Sequence, residues 1–171
     1  LHDLRNNIGY IAQKGVLFSG TIKSNIKYGN SSISDKQMIF ASNVALADEF
    51  INSKEGGYNY KIAQGGTNVS GGQKQRLSIA RTIARDPEIY IFDDSFSALD
   101  YKTDSTLRSE LKKYTKDATV MIVAQRIGTI LNADKIVVLN DGKVSEMGTP
   151  AELMAKGGVY AEMEHKFSAA Q

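Results

Sequence analysis

Short apolar runs that alternate with helical patterns constrain this chain more than any other feature. IGYIA (8–12), EIYIF (88–92), TVMIVA (119–124) and KIVVLN (135–140) each have strand length. Their near-continuous apolar character is that of strands buried inside a sheet. Helical stretches lie between them. ISDKQMIFASNVALADEFINS (33–53) offers Ser34 as an N-cap and places apolar residues at 38, 39, 41, 45, 46 and 50, which predicts one helix. From Ser70 a second helix begins, GGQKQRLSIARTIAR, with Leu77, Ile79, Ala80, Ile83 and Ala84 as an apolar stripe. Arg76, Arg81 and Arg85 give it a basic side, and Asp86-Pro87 stops it. Residues 101–114 read as a polar helix. Asp141-Gly142 predicts a hairpin turn into KVSEMG. Thr149-Pro150-Ala151-Glu152 opens a final helix with proline in its first turn. The alternation implies an α/β fold with a mainly parallel sheet, and such sheets bind ligands at the carboxyl ends of their strands. Gln13, Asp93, Asp94 and Gln125 all fall just past an apolar run.

Composition narrows the function classes. The 171 residues amount to about one domain. A net charge of +2 lacks the basic excess of a nucleic-acid binder, so no nucleic-acid partner is expected. With no cysteine, disulfides and thiolate metal sites are excluded. No apolar run approaches the roughly 18 residues of a membrane helix. LHDLRNNIGY has no signal-peptide core and reads as the middle of something. His2 and His165 stand alone near the ends and read as solvated.

The chemistry concentrates in two strings. In VSGGQKQR (69–76), Ser70 can cap the following helix and Gly71 and Gly72 allow close backbone approach. A helix N-terminus there offers N–H groups to an anion. In IFDDSFSALD (91–100), an apolar strand runs into Asp93 and Asp94, with Asp100 beyond. SGGQ-x-QR, an Ala-Arg helix, Asp-Pro and an apolar strand ending in Asp follow one another in the order seen in nucleotide-binding domains of ATP-binding cassette (ABC) transporters.

The chain resembles that family along essentially its whole length. Ser70, Gly71, Gly72 and Gln73 are similar to the signature motif, with Val69 where Leu is usual. EIYIFDD resembles Walker B, SALD (97–100) the D-loop, and Gln13 the Q-loop glutamine. LFSGTIKSNIKYG (17–29) resembles exporter-type members, whose domain follows membrane helices on one chain. The resemblance implies a P-loop NTPase fold of the ABC ATPase type, mainly parallel, with a helical signature subdomain over about 30–85. It implies ATP and Mg²⁺ as ligands and a place on the cytoplasmic face of the cell membrane. Asp93, with Gln13, is the expected Mg²⁺ side; Asp94, Gln125 and Gln13 are the expected catalytic positions. Asp100 would sit at a dimer interface.

Three further positions depart from the family pattern. Asp94 stands where Glu usually polarises the attacking water, and it is one methylene shorter. General-base catalysis needs approach within about 3 Å, and a retreat of roughly 1 Å can cost on the order of a hundredfold. Gln125 replaces a histidine; it can donate a hydrogen bond but cannot carry charge. Gln64 replaces a Glu in the loop before the signature, a loop that contacts membrane helices. In the family each ATP site takes its signature from the partner. The pattern therefore resembles one half of a heterodimeric exporter, supplying a degenerate Walker B and switch to its own site and a near-intact signature to its partner's.

GVLFSGTI (15–22) has the glycine spacing of a P-loop but Thr-Ile where Lys-Ser is needed, and reads as a decoy. The resemblance places Walker A before residue 1. The expectation is a domain lacking its first part, with unpaired strand edges and weak or no ATP binding by these residues alone. A soluble cassette ATPase of the DNA-repair type is disfavoured, because Gln13 to Ser70 is too short for a coiled-coil insertion. A non-catalytic regulatory half stays open.

Overall fold

The computed structural model describes residues 2–169, with side chains from Leu4 onward. The backbone divides into two compact units, residues 1–123 and 124–171.

The first unit is built on a three-stranded parallel sheet. β1 (Ile8–Ile11), which follows helix α1 (His2–Asn7), pairs in register with β4 (Ile89–Asp93). β4 in turn pairs with β5 (Thr119–Val123). The sheet therefore has the predicted parallel α/β character, with β4 central. On one face Ile11, Tyr90 and Phe92 are buried, and Phe92 stacks on Phe96 at 5.1 Å. α5 (Gly71–Ala84) packs with this core through Leu77, Ile79, Ala80 and Ile83, the stripe expected from the sequence. α6 (Tyr101–Tyr114) adds Leu107 and Leu111.

α5 is also the hub for the loops. Arg81 donates to the carbonyls of Asn25 and Val16, and its guanidinium lies over the Phe18 and Tyr28 rings, which stack at 4.2 Å. The decoy segment has an ordinary role: Gly20–Thr21 forms β2, Thr21 caps α2 (Ile22–Ile26), and β2 pairs with β3 (Lys61–Ile62).

The single helix expected over 33–53 is two. α3 (Asp35–Val44) starts at Ser34 with a full capping box, but Leu46 turns left-handed at φ 54° and α4 (Asp48–Ser53) begins afresh. Arg76 holds the break by donating to the Leu46 carbonyl at 2.6 Å, a tertiary contact that periodicity cannot report.

The second unit holds β6 (Ile136–Asn140) and β7 (Lys143–Gly148), an antiparallel hairpin. Asp141 and Gly142 both have positive φ, 49° and 74°, as a tight primed turn requires. α7 (Pro150–Lys156) opens on a capping box from Thr149 to Glu152. The expected single final helix is again two, because Gly157 adopts a left-handed cap and α8 (Val159–Ser168) restarts.

TVMIVA and KIVVLN were expected as buried strands, and here the structure differs. Met121 is 56% and Val123 51% exposed, and in β6 Leu139 is 68% exposed. Among the described residues β5 is an outer strand with one neighbour, and β6 pairs with β7 alone. In β6 burial alternates, with Ile136 buried and Val137 and Leu139 out, as in a ribbon covered on one side.

Candidate functional site

The carboxyl end of the parallel sheet gathers three of the residues singled out from the sequence. β1 and β4 are neighbours, so the loop after β1 and the turn after β4 lie side by side. Gln13, exposed in that loop, donates from Nε2 to Asp94 Oδ2 at 3.1 Å. Asp94 has φ 44°, a left-handed conformation that Asp tolerates better than most residues. Its own N–H donates to the Val123 carbonyl at 2.9 Å, so the turn stays tied to the sheet. Asp93, the last residue of β4, accepts a 2.7 Å bond from the Tyr10 hydroxyl at its Oδ2. That bond to the carboxylate holds the Tyr10 phenol above its usual range. Two adjacent acids thus take different partners from β1 and the loop beyond it.

These groups are oxygen donors of the type that Mg²⁺ prefers. The Tyr10 bond engages Oδ2 of Asp93 and leaves its other oxygen for a hydrated cation. Two carboxylates and an amide are too few to complete an octahedral shell, so a cation here would keep waters or take ligand phosphates. Among the described residues no group of three or more His, Cys, Asp or Glu could hold a metal alone.

The second string forms the start of α5. Ser70 Oγ accepts from the Gln73 N–H at 3.2 Å, and Gln73 Oε1 accepts from the Ser70 N–H at 3.1 Å. This reciprocal box fixes the helix entry. Around Gly71 a Cβ would meet nothing within 4 Å, so the backbone there is open to approach. At Gly72 it would lie 3.6 Å from the Ala98 carbonyl, which sets the signature turn beside the SALD segment. Asp100 caps α6, accepting from the Thr103 N–H at 2.9 Å and the Thr103 hydroxyl at 2.7 Å. Those bonds hold its carboxyl below the usual carboxylate range.

Gln125 belongs to the other unit, where it is exposed just beyond β5 and borders a groove with Arg126, Ile127 and Phe167. His165 is exposed, as expected, and the side chain of His2 lies outside the described residues.

Sequence reasoning missed Tyr10 and Gln75. Tyr10 meets Asp93 only through strand register, which no local pattern reveals. Gln75 is 1% exposed and donates from Nε2 to the Ala12 carbonyl at 3.0 Å. A polar residue four positions before Ile79, on the apolar stripe, was the available signal.

A parallel sheet carries acids at the carboxyl end of its central strand and is flanked by a capped glycine-led helix, and the comparisons identify this α/β architecture as that of the P-loop NTPase class. The family model described as ABC transporter matches residues 1–97, and the chain belongs to that family. It is 44% identical over 165 residues to a candidate multidrug export ATP-binding/permease protein of Staphylococcus aureus, covering 96% of this chain and 28% of that protein. It is also 44% identical to ABC transporter B family member 13 of Arabidopsis thaliana, over 93% of this chain and 13% of that one. The solved structure of a bacterial Atm1-family ABC exporter with ATP bound superposes with a TM-score of 0.91 at 35% identity, covering 96% of this chain and 29% of that one. The chain thus spans under a third of the length of these relatives. Among the described residues no helix is long and apolar enough to cross a membrane.

Proposed function

We propose that these residues are part of the ATP-binding module of a membrane exporter, with a slow ATP site of their own. The observation that carries this reading is the meeting of Gln13 with Asp94, beside Asp93, at the ends of adjacent parallel strands. In this reading 1–171 is a partial nucleotide-binding domain with 30–85 as its helical subdomain. Asp93, with Gln13, holds hydrated Mg²⁺ against the ATP phosphates; the metal neutralises phosphate charge when bound. Asp94 occupies the position that orients the attacking water, and Gln125 the position that contacts the terminal phosphate. Ser70, Gly71, Gly72 and Gln73 serve the ATP held by a second, non-identical nucleotide-binding domain, and Asp100 lies toward that partner. The module works at the cytoplasmic face of the cell membrane, joined to the transmembrane helices of the transporter. Its relatives described as ATP-binding/permease proteins support that placement.

The slow site follows from side-chain chemistry. Asp94 has a shorter reach than Glu and is already engaged by Gln13. Gln125 cannot supply a positive charge. Both features also favour a regulatory half that completes a partner's site while hydrolysing little itself. The test is turnover of the assembled transporter carrying Asp94→Glu with Gln125→His. A rise of about tenfold or more is expected; unchanged turnover would reject the slow-site reading.

A further inference from the structure

The loop that carries Gln13 is clamped from two sides. Gln75, 1% exposed on α5, donates to the Ala12 carbonyl at 3.0 Å across 63 positions of chain. Ser95, fully buried in the turn after β4, donates to the preceding carbonyl, Ile11, at 2.7 Å. At the far end of the loop a Cβ on Gly15 would stand 2.8 Å from the Lys74 carbonyl, so the loop lies flush against α5. Gln13 projects from inside this clamp and its amide reaches Asp94.

We infer that Gln75 is a positioning residue that sets Gln13 against Asp94 and ties that pair to the helix whose first turn is Ser70–Gln73. The inference rests on the proposed role of Gln13 beside the metal. α5 begins at the signature turn and carries Gln75 on the same rigid element. A displacement of that turn by a neighbouring nucleotide would therefore reach the Ala12 carbonyl directly through the Gln75 hydrogen bond, and Gln13 with it. A purely structural Gln75 would satisfy the Ala12 carbonyl and nothing more. The two roles predict different ligand responses.

The experiment uses the assembled transporter and photo-incorporation of radiolabelled azido-ATP into this chain, titrated with and without Mg²⁺. Gln13→Ala should remove about tenfold of the Mg²⁺-dependent gain in affinity. Gln75→Leu, which keeps volume but leaves the Ala12 carbonyl bare, should do the same. The double variant should lose no more than either single one, because both act on one contact. If Gln75→Leu weakens binding equally with and without Mg²⁺, or adds fully to Gln13→Ala, the inference is overturned and the site reading survives. If Gln13→Ala leaves the Mg²⁺-dependent gain intact, the site reading itself fails and the inference falls with it. Should the Leu variant not assemble, Gln75→Glu gives the same test, since it keeps the shape and replaces the donor with an acceptor.

Discussion

Asp93, Asp94 and Asp100 lie within ten residues of one another, yet they do different work. Asp93 is bonded by Tyr10, Asp94 by Gln13, and Asp100 by the first turn of its own helix. β4 ends at Asp93 and the backbone turns left-handed at Asp94, and the two acids take partners from β1 and from the loop beyond it. Asp100, proposed to lie toward a partner, also carries a local duty. Its carboxylate accepts from both the N–H and the hydroxyl of Thr103, and these bonds hold its folded pKa below the unfolded value. A depressed carboxylate contributes stability that is fully present above its unfolded pKa and is lost as pH falls through the folded one. Asp100→Ala should therefore lower Tm by about 2–4 °C at neutral pH, while Asp100→Asn, which can still cap, should lower it less. The difference between wild type and Asp100→Ala should shrink once pH drops below the ordinary aspartate value of 3.8. Thermal melts at neutral pH and near pH 3 measure this. An Ala penalty that persists unchanged in acid would assign the effect to something other than the charged cap.

At the scale of elements, helix starts were the most legible feature, because caps are local chemistry. Ser34, Ser70 and Thr149 each form the reciprocal box expected of a hydroxyl followed three residues on by Gln or Glu. Helix ends inside a periodic pattern were not legible. The break at Leu46 depends on Arg76 from another helix, and the restart at α8 depends on Glu146 from β7. That second case gives a prediction. Glu146 accepts from the Val159 N–H at 2.7 Å and the Tyr160 N–H at 3.1 Å, acting as a cap supplied from a distant strand. A Cβ at Gly158 would overlap the Glu146 carboxylate, so a side chain there would push that carboxylate aside. Glu146→Ala should destabilise the second unit by about 1 kcal/mol. Gly158→Ala should cost a similar amount by displacing the same carboxylate. Hydrogen exchange would register either change first in the amides of Val159–Ser168; unaltered protection there would remove Glu146 from that role.

For the molecule as a whole, the class of fold was readable because strand-helix alternation and motif order are both linear in sequence. The meeting of Gln13 with Asp94 could be anticipated only as a shared sheet end; the contact itself needed strand order and register. The exposure of β5 and β6 was not readable, because apolar content reports what a strand can bury and not what lies over it. The same distinction governs nucleotide affinity. These residues carry positions that could bear on Mg²⁺ and on a partner's ATP, but no GxxxxGK-Ser/Thr string. In P-loop enzymes that string's backbone N–H groups and lysine hold the phosphates. The amides at the start of α5 are assigned, in the proposed assembly, to a neighbouring nucleotide and not to the site of Asp93 and Gln13. In the proposed site what remains is a cation that Asp93 and Gln13 would hold, and a hydrated Mg²⁺ on so few ligands binds weakly. The 171 residues alone should therefore show a Kd for Mg·ATP in the millimolar range or weaker, about −4 kcal/mol at most. Isothermal titration would check it, with a repeat at Asp93→Asn. Loss of the residual binding in that variant would assign it to the Asp93 side of the sheet. Micromolar affinity in the unaltered chain would mean that its own residues cradle the phosphates by a route the proposed site does not contain.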